Sequence, residues 1–164
     1  KVPNEYGLLL AAGSPDEEVI GEEVAALIEQ LQSSGRKVWW IKQMLPHEKL
    51  TAVLTQAELF LCPSIYEPLG IVNLEAMGCE TAVLASNVGG IPEVVLDGET
   101  GVLVNYTSDS AKYEADLTSA ITELLANPTL LERYGKAGRL RAQEDFGWGA
   151  IAAQTVELYR KVIS

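Results

Sequence analysis

The feature that most constrains the fold is a regular alternation of short apolar runs with segments of helical periodicity. The apolar runs are typical of strands, and they are Tyr6–Ala12, Val38–Ile41, Leu59–Cys62, Thr81–Ala85 and Val102–Val104. Strands that alternate with helices pair in parallel, because each crossover helix returns the chain to the end of the sheet at which the previous strand began. The sequence therefore predicts an α/β fold with a Rossmann-like, doubly wound parallel sheet.

The segments between and after these runs predict helices. Apolar residues recur at helical spacing from Val19 to Leu31, Pro46 opens the next helix, and Gly78 closes a helix that begins near Ile71. A short helix follows from Pro92, and the C-terminal segment is predicted to be helical over 112–126, 130–144 and 148–162.

The run at 6–12 has no polar alternation, which predicts a strand covered on both faces. Three aromatic residues are expected to pack in the core or between domains: Trp39, Trp40 and Trp148.

Length and charge narrow the class of protein. A chain of 164 residues with 48% hydrophobic residues suits one domain with a sizeable core. A net charge of -11 argues against nucleic acid or an anionic membrane as a partner. No apolar run reaches the roughly 20 residues of a membrane span, so a soluble cytoplasmic protein is expected. Cys62 and Cys79 are interpreted as packing residues, and His47 as an exposed residue at a helix start.

The segment from Cys62 to Gly78 carries the candidate site. Its first part follows a strand, and in such sheets ligands bind beyond the carboxyl ends of the strands. Glu67 lies in a proline-rich loop, and the helix that starts at Gly70 would offer unsatisfied first-turn amides to an anion. Glu75 lies on the same helix. Two glutamates eight residues apart are also common on solvated helices, and spacing alone favours that reading.

The surrounding block resembles a known family. The runs PSIYEPLGIVNLEAMG and TAVLASNVGGIPEVVLDGETGVLV resemble the C-terminal domains of GT-B glycosyltransferases of the glycosyl transferase group 1 and glycogen synthase superfamily. The resemblance spans essentially the whole chain, and its specific part is the E-x7-E motif formed by Glu67 and Glu75. With AGSPDEE upstream, the sequence is most similar to bacterial glycogen synthase-type enzymes that use ADP-glucose.

The resemblance implies a role for each residue of the motif. Glu67 matches the catalytic glutamate that contacts hydroxyls of the donor sugar, and Glu75 matches the glutamate that binds the ribose. Gly70, Ile71 and Val72 match residues whose amides meet the diphosphate and the sugar. These enzymes retain the anomeric configuration, and no metal or cofactor is expected.

Two further loops keep more than one interpretation. Gln43, Met44 and Leu45 follow the second strand, where related enzymes seat the base, but a plain loop is at least as plausible. The segment 86–91 follows the fourth strand. It is either part of the ligand edge or a tight turn that needs two glycines.

The implied function is the donor-binding half of a retaining glucosyltransferase that moves glucose from ADP-glucose to an α-glucan or glucose 1-phosphate. A UDP-sugar-dependent GT-B transferase and a non-catalytic nucleotide- or sugar-binding module are the alternatives, and a sugar-nucleotide epimerase ranks lower.

Residues 1–164 are expected to form one sugar-nucleotide-binding domain that is inactive alone. The family's first strand, its Arg/Lys phosphate loop and the N-terminal acceptor domain, a further partner, are expected to lie outside it. Arg36 and Lys37 are not assigned the phosphate role.

Overall fold

The computed structural model describes residues 2–11, 13, 15 and 17–163. These residues form β1 (Leu8–Leu10), α1 (Glu18–Ser33), β2 (Val38–Trp40), α2 (His47–Gln56), β3 (Leu59–Cys62), α3 (Ile71–Gly78), β4 (Ala82–Ser86), α4 (Ile91–Val94), β5 (Gly101–Val104), α5 (Ser110–Leu125), α6 (Pro128–Phe146) and α7 (Trp148–Ile163). The chain divides into two compact units, residues 1–50 and 51–164. All of the strand pairs are parallel, which confirms the predicted α/β class.

In the first unit, β1 pairs with β2 and α1 packs against β2. The predicted end of α1 is confirmed at Gly35, whose φ of 82° lies in the left-handed region. The amide of Gly35 donates to Gln32 O at 2.9 Å, and that of Arg36 donates to Leu31 O at 3.1 Å. These two bonds turn the chain back on the last turn of the helix and add donors to its terminal carbonyls.

The prediction that the first strand is covered on both faces is wrong for the described residues. Leu8 and Leu9 are 39% and 38% exposed. The strand has one neighbouring strand, β2, and α1 packs against β2. The strand is also shorter than the apolar run, since it covers three residues, and Ala12 lies outside the described residues.

In the second unit the strands lie in the order β3-β4-β5. The central strand β4 is buried at all five positions, as expected for an apolar run with a neighbour on each side. Helices α3 and α6 pack against each other and against β4. The largest fully buried side chains include Met77, Leu84 and Ile91, so the core lies between this sheet and these helices.

Helix α7 contacts α6 and has no buried residue. Trp148 is 90% exposed and Trp39 is also exposed, so a core position for these two indoles is wrong. The exposed apolar residues of α7 include Ile151, Val156, Leu158 and Tyr159. In the described part of the chain, no helix combines the length and apolar character needed to cross a membrane.

Candidate functional site

Two loops of the second unit meet at the carboxyl ends of β3 and β4. The amide of Gly90 donates to the carbonyl oxygen of Glu67 at 3.0 Å. A Cβ on Gly89 would lie 2.0 Å from that same carbonyl oxygen, and a Cβ on Gly90 would lie 2.3 Å from Pro68 O. Glycine is required at both positions because the two backbones touch. The structure thus gives the glycine pair a packing reason, while a ligand contact for this loop stays a prediction.

Gly70 turns the chain from the loop into α3. Its φ of 88° and ψ of 45° are left-handed, and it occupies the position before the first helical residue. A Cβ at this position would lie 2.7 Å from Asn73 Nδ2 and 3.3 Å from a carbon of Ile91. Both the conformation and the space therefore demand glycine. The predicted helix start near Gly70 is confirmed.

The first-turn amides of α3 differ in how they are satisfied. The Gly70 amide donates to Glu67 Oε1 at 3.0 Å, so the expectation that it is free is wrong. The Asn73 amide donates to Gly70 O at 2.9 Å. Within the described chain, the amides of Ile71 and Val72 donate to no protein acceptor, and both of these residues are exposed. Two donors at the start of the helix remain available for an anion.

The two glutamates of the motif hold different positions around this helix start. Glu67 is half-buried in the loop, and its carboxylate turns back to Gly70. Glu75 is half-buried and follows Ile71 by four residues and Val72 by three. Residues at these spacings lie on one face of a helix. The Glu75 side chain therefore lies on the same side of α3 as the side chains of Ile71 and Val72, whose free amides point out of the start of the helix.

The sequence interpretation missed Asn73. This residue is 0% exposed, and neither polar atom of its carboxamide has a hydrogen-bond partner among the described residues. An unpartnered buried amide costs about 1–3 kcal/mol. The available signal was an asparagine among the residues that α3 buries, Ala76 and Met77 being the others.

The charges near this corner are negative. The sequence has no Lys or Arg between Lys49 and Lys112. Arg139 and Arg141 come from α6, but they donate to backbone carbonyls, Arg139 to Gly78 O and Arg141 to Val94 O, both at 2.9 Å. Within the second unit, the groups at the start of α3 that favour an anion are backbone amides and the helix dipole.

Met44 and Leu45 lie in the first unit, after β2. Met44 is 88% exposed and Leu45 is half-buried. Their contact with a base stays a prediction. Among the described residues, no group of three or more His, Cys, Asp or Glu side chains could hold a metal ion.

A family model described as "Glycosyl transferases group 1" matches residues 8–141. The chain belongs to this family. The matched segment runs from β1 into α6 and includes Glu67, Gly70 and Glu75. The predicted family is confirmed.

Several relatives with named activities are similar in sequence to this chain. An alpha-maltose-1-phosphate synthase of Mycolicibacterium smegmatis is 54% identical over 156 residues, which cover 94% of this chain and 40% of the relative. A glycogen synthase of Mycobacterium tuberculosis is 37% identical over 115 residues, which cover 70% of this chain and 27% of the relative. The chain therefore spans well under half the length of these relatives.

A solved structure supports the fold of this group 1 chain. Sucrose-phosphate synthase of Thermosynechococcus elongatus superposes with a TM-score of 0.77 at 36% identity, and the match covers 95% of this chain and 38% of that one. The predicted fold, that of a GT-B C-terminal domain, is confirmed.

Proposed function

We propose that the chain forms the donor-binding half of a retaining glucosyltransferase that uses ADP-glucose. The observation that carries the proposal is the start of α3, where the amides of Ile71 and Val72 are free, Glu67 lies in the preceding loop and Glu75 lies one turn further along the helix. This arrangement belongs to a group 1 glycosyltransferase chain and offers donors to a diphosphate and acceptors to hydroxyls. A cytoplasmic location is part of the proposal.

The acceptor we favour is glucose 1-phosphate. The relative with 54% identity is named for α-maltose 1-phosphate, a product of two glucose units with a phosphate on C1. Adding glucose to glucose 1-phosphate gives that product. An α-glucan is the second acceptor, favoured by the relative named glycogen synthase.

In the proposed reaction the two free amides and the two glutamates of the motif contact different parts of the donor. The bond between the anomeric carbon and the diphosphate oxygen breaks, and a bond to the acceptor oxygen forms on the same face of the sugar. The acceptor proton passes to the departing diphosphate. Amides of Ile71 and Val72 stabilise the charge that gathers on the diphosphate, which lowers the barrier most when the donors are already oriented. Glu67 accepts hydrogen bonds from donor-sugar hydroxyls, and Glu75 from the ribose.

The candidate site lacks basic side chains of its own that could neutralise a diphosphate. No Lys or Arg lies between Lys49 and Lys112, and the chain covers 40% of its relative named for α-maltose 1-phosphate. We propose that an N-terminal acceptor domain and an Arg/Lys phosphate loop complete the cleft. The 164-residue chain is then expected to bind donor weakly and to transfer no sugar alone.

Replacing Glu75 tests the assignment. Glu75→Gln should weaken ADP-glucose binding by roughly 10-fold or more, because a hydrogen bond to a charged group contributes about 1.5–3 kcal/mol. Calorimetric titration of the wild type, Glu75→Gln and the control Glu58→Gln measures this. Glu58 is an exposed glutamate just before β3, at the opposite end of the strand from the site. Equal affinity in all three proteins would contradict the proposal.

The alternatives separate in the same experiments. A UDP-sugar-dependent transferase would prefer UDP-glucose in parallel titrations. A non-catalytic binding module would bind a nucleotide sugar but form no disaccharide phosphate when the full protein is incubated with ADP-glucose and glucose 1-phosphate.

A further inference from the structure

The carboxylate of Glu67 takes one amide at the start of α3, beside the free amides of Ile71 and Val72. Its Oε1 accepts the Gly70 amide at 3.0 Å. A helix start favours a negative group through its free amides and its dipole. Here the chain supplies that negative group itself. An oxygen of a ligand phosphate and the Glu67 carboxylate would compete for one N–H.

The backbone at this corner is held in place. Gly70 lies against Asn73 Nδ2 and Ile91, with 2.7 Å and 3.3 Å to the position of a Cβ on Gly70. The carbonyl of Glu67 accepts the Gly90 amide at 3.0 Å. Since both peptide ends are fixed, the flexible part is the side chain of Glu67, which has three rotatable bonds. A ligand that takes the Gly70 amide would therefore displace this side chain.

Asn73 is an independent sign that a polar ligand reaches the corner. Its carboxamide is 0% exposed, faces Gly70 and has no hydrogen-bond partner among the described residues. A corner that was merely capped by Glu67 would need no second polar group behind it. A buried unpaired amide is costly, and a polar ligand or its hydration water would reduce that cost.

We propose that Glu67 determines specificity by disfavouring the bare nucleoside diphosphate relative to the nucleotide sugar. The inference rests on the proposed function. The terminal phosphate of a nucleoside diphosphate gains an extra negative charge near neutral pH, since the second pKa of a phosphate monoester is about 6. That charge meets the Glu67 carboxylate, and the segment between Lys49 and Lys112 that carries the site contains no Lys or Arg to offset the repulsion; in the 164-residue chain the proposed Arg/Lys loop is absent. A nucleotide sugar lacks this charge, and its hydroxyls donate to the displaced carboxylate.

The test compares the two ligands on the Glu67→Gln variant. Removing one like charge at about 4 Å is worth about 1 kcal/mol in a high-dielectric setting, so ADP should bind about fivefold tighter. ADP-glucose should bind equally or more weakly. Calorimetric or NMR titration of the 164-residue chain with ADP, ADP-glucose, UDP and UDP-glucose gives the ratios, and Glu58→Gln controls for the general loss of charge.

A second measurement needs no variant. In the wild type, the amide resonance of Gly70 should shift when ADP displaces the carboxylate. An unchanged ratio of ADP to ADP-glucose affinity in Glu67→Gln, or a Gly70 resonance that ignores ADP, would overturn the inference. If Glu75→Gln still weakens both ligands, the proposed function stands without it. A wild-type chain that binds none of the four ligands would remove the proposed function and the inference together.

Discussion

Thr81 and Asn73 are both buried polar residues of the second unit, and they differ in their partners. Thr81 Oγ1 donates to Leu54 O at 2.6 Å. The Asn73 carboxamide has no partner among the described residues. Leu54 O also accepts the Ala57 amide at 3.0 Å, so removing the hydroxyl costs one of two hydrogen bonds, whereas removing the unpaired amide costs none. Apolar replacement should therefore cost more stability at Thr81 than at Asn73.

Asn73→Leu, which keeps the branched shape, should lower the free energy of unfolding by less than about 1 kcal/mol, or raise it. Thr81→Val should lower it by about 0.5–1.5 kcal/mol, because one buried hydrogen bond to Leu54 O is lost while the bond from the Ala57 amide remains. Urea denaturation of the ligand-free chain followed by circular dichroism measures both. A large loss for Asn73→Leu alone would show that its amide has a stabilising partner.

Among the elements, α6 is placed by two glycines. A Cβ on Gly135 would lie 2.0 Å from Glu80 O, and one on Gly138 would lie 3.1 Å from Met77. Glu80 itself has a φ of 62°, a left-handed conformation that is uncommon for a residue with a side chain. The turn between α3 and β4 thus depends on how closely α6 approaches it.

Gly135→Ala should destabilise the chain by about 1–3 kcal/mol, because the added methyl group meets a backbone carbonyl that cannot rotate away. Gly149→Ala on α7 is the matched control, since a Cβ there has no neighbouring atom within 4 Å. The thermal midpoint should fall for the first variant and stay near wild type for the second. Equal midpoints would mean that α6 can shift away from the turn without loss.

At the scale of the whole molecule, charge opposes the proposed ligand. The chain carries a net charge of -11, and the segment with the candidate site contains no Lys or Arg from 50 to 111. Short-range amide bonds must therefore overcome a long-range repulsion. The Debye length is about 10 Å at 0.1 M salt and about 30 Å at 0.01 M, so salt weakens the repulsion more than the amide bonds.

The affinity of the 164-residue chain for ADP should consequently rise, or stay level, as salt increases from about 10 mM to about 150 mM. A site built on lysine and arginine would show the reverse dependence. Titrations at several sodium chloride concentrations measure the sign. A clear fall in affinity with salt would mean that basic side chains contact the ligand.

The sequence predicted what depends on local pattern. β3 covers the residues of its apolar run, Leu59–Cys62, and α3 begins where the glycine and the helical spacing indicated. It did not predict what depends on tertiary contact. The carboxylate of Glu67 on Gly70, the unpaired amide of Asn73 and the exposure of Trp148 all arise from which groups happen to meet in three dimensions. The periodicity of apolar residues along the chain carries no information about such tertiary contacts.

The contact between the loop that carries Glu67 and the loop of Gly89 and Gly90 has a consequence for protein engineering. Because a Cβ at either glycine would collide with the other loop, neither loop can be exchanged independently. A chimera that imports the first loop from a relative with another sugar preference should fold only if the second is imported with it. Any redesign of this corner thus means transplanting two stretches of chain as a single unit.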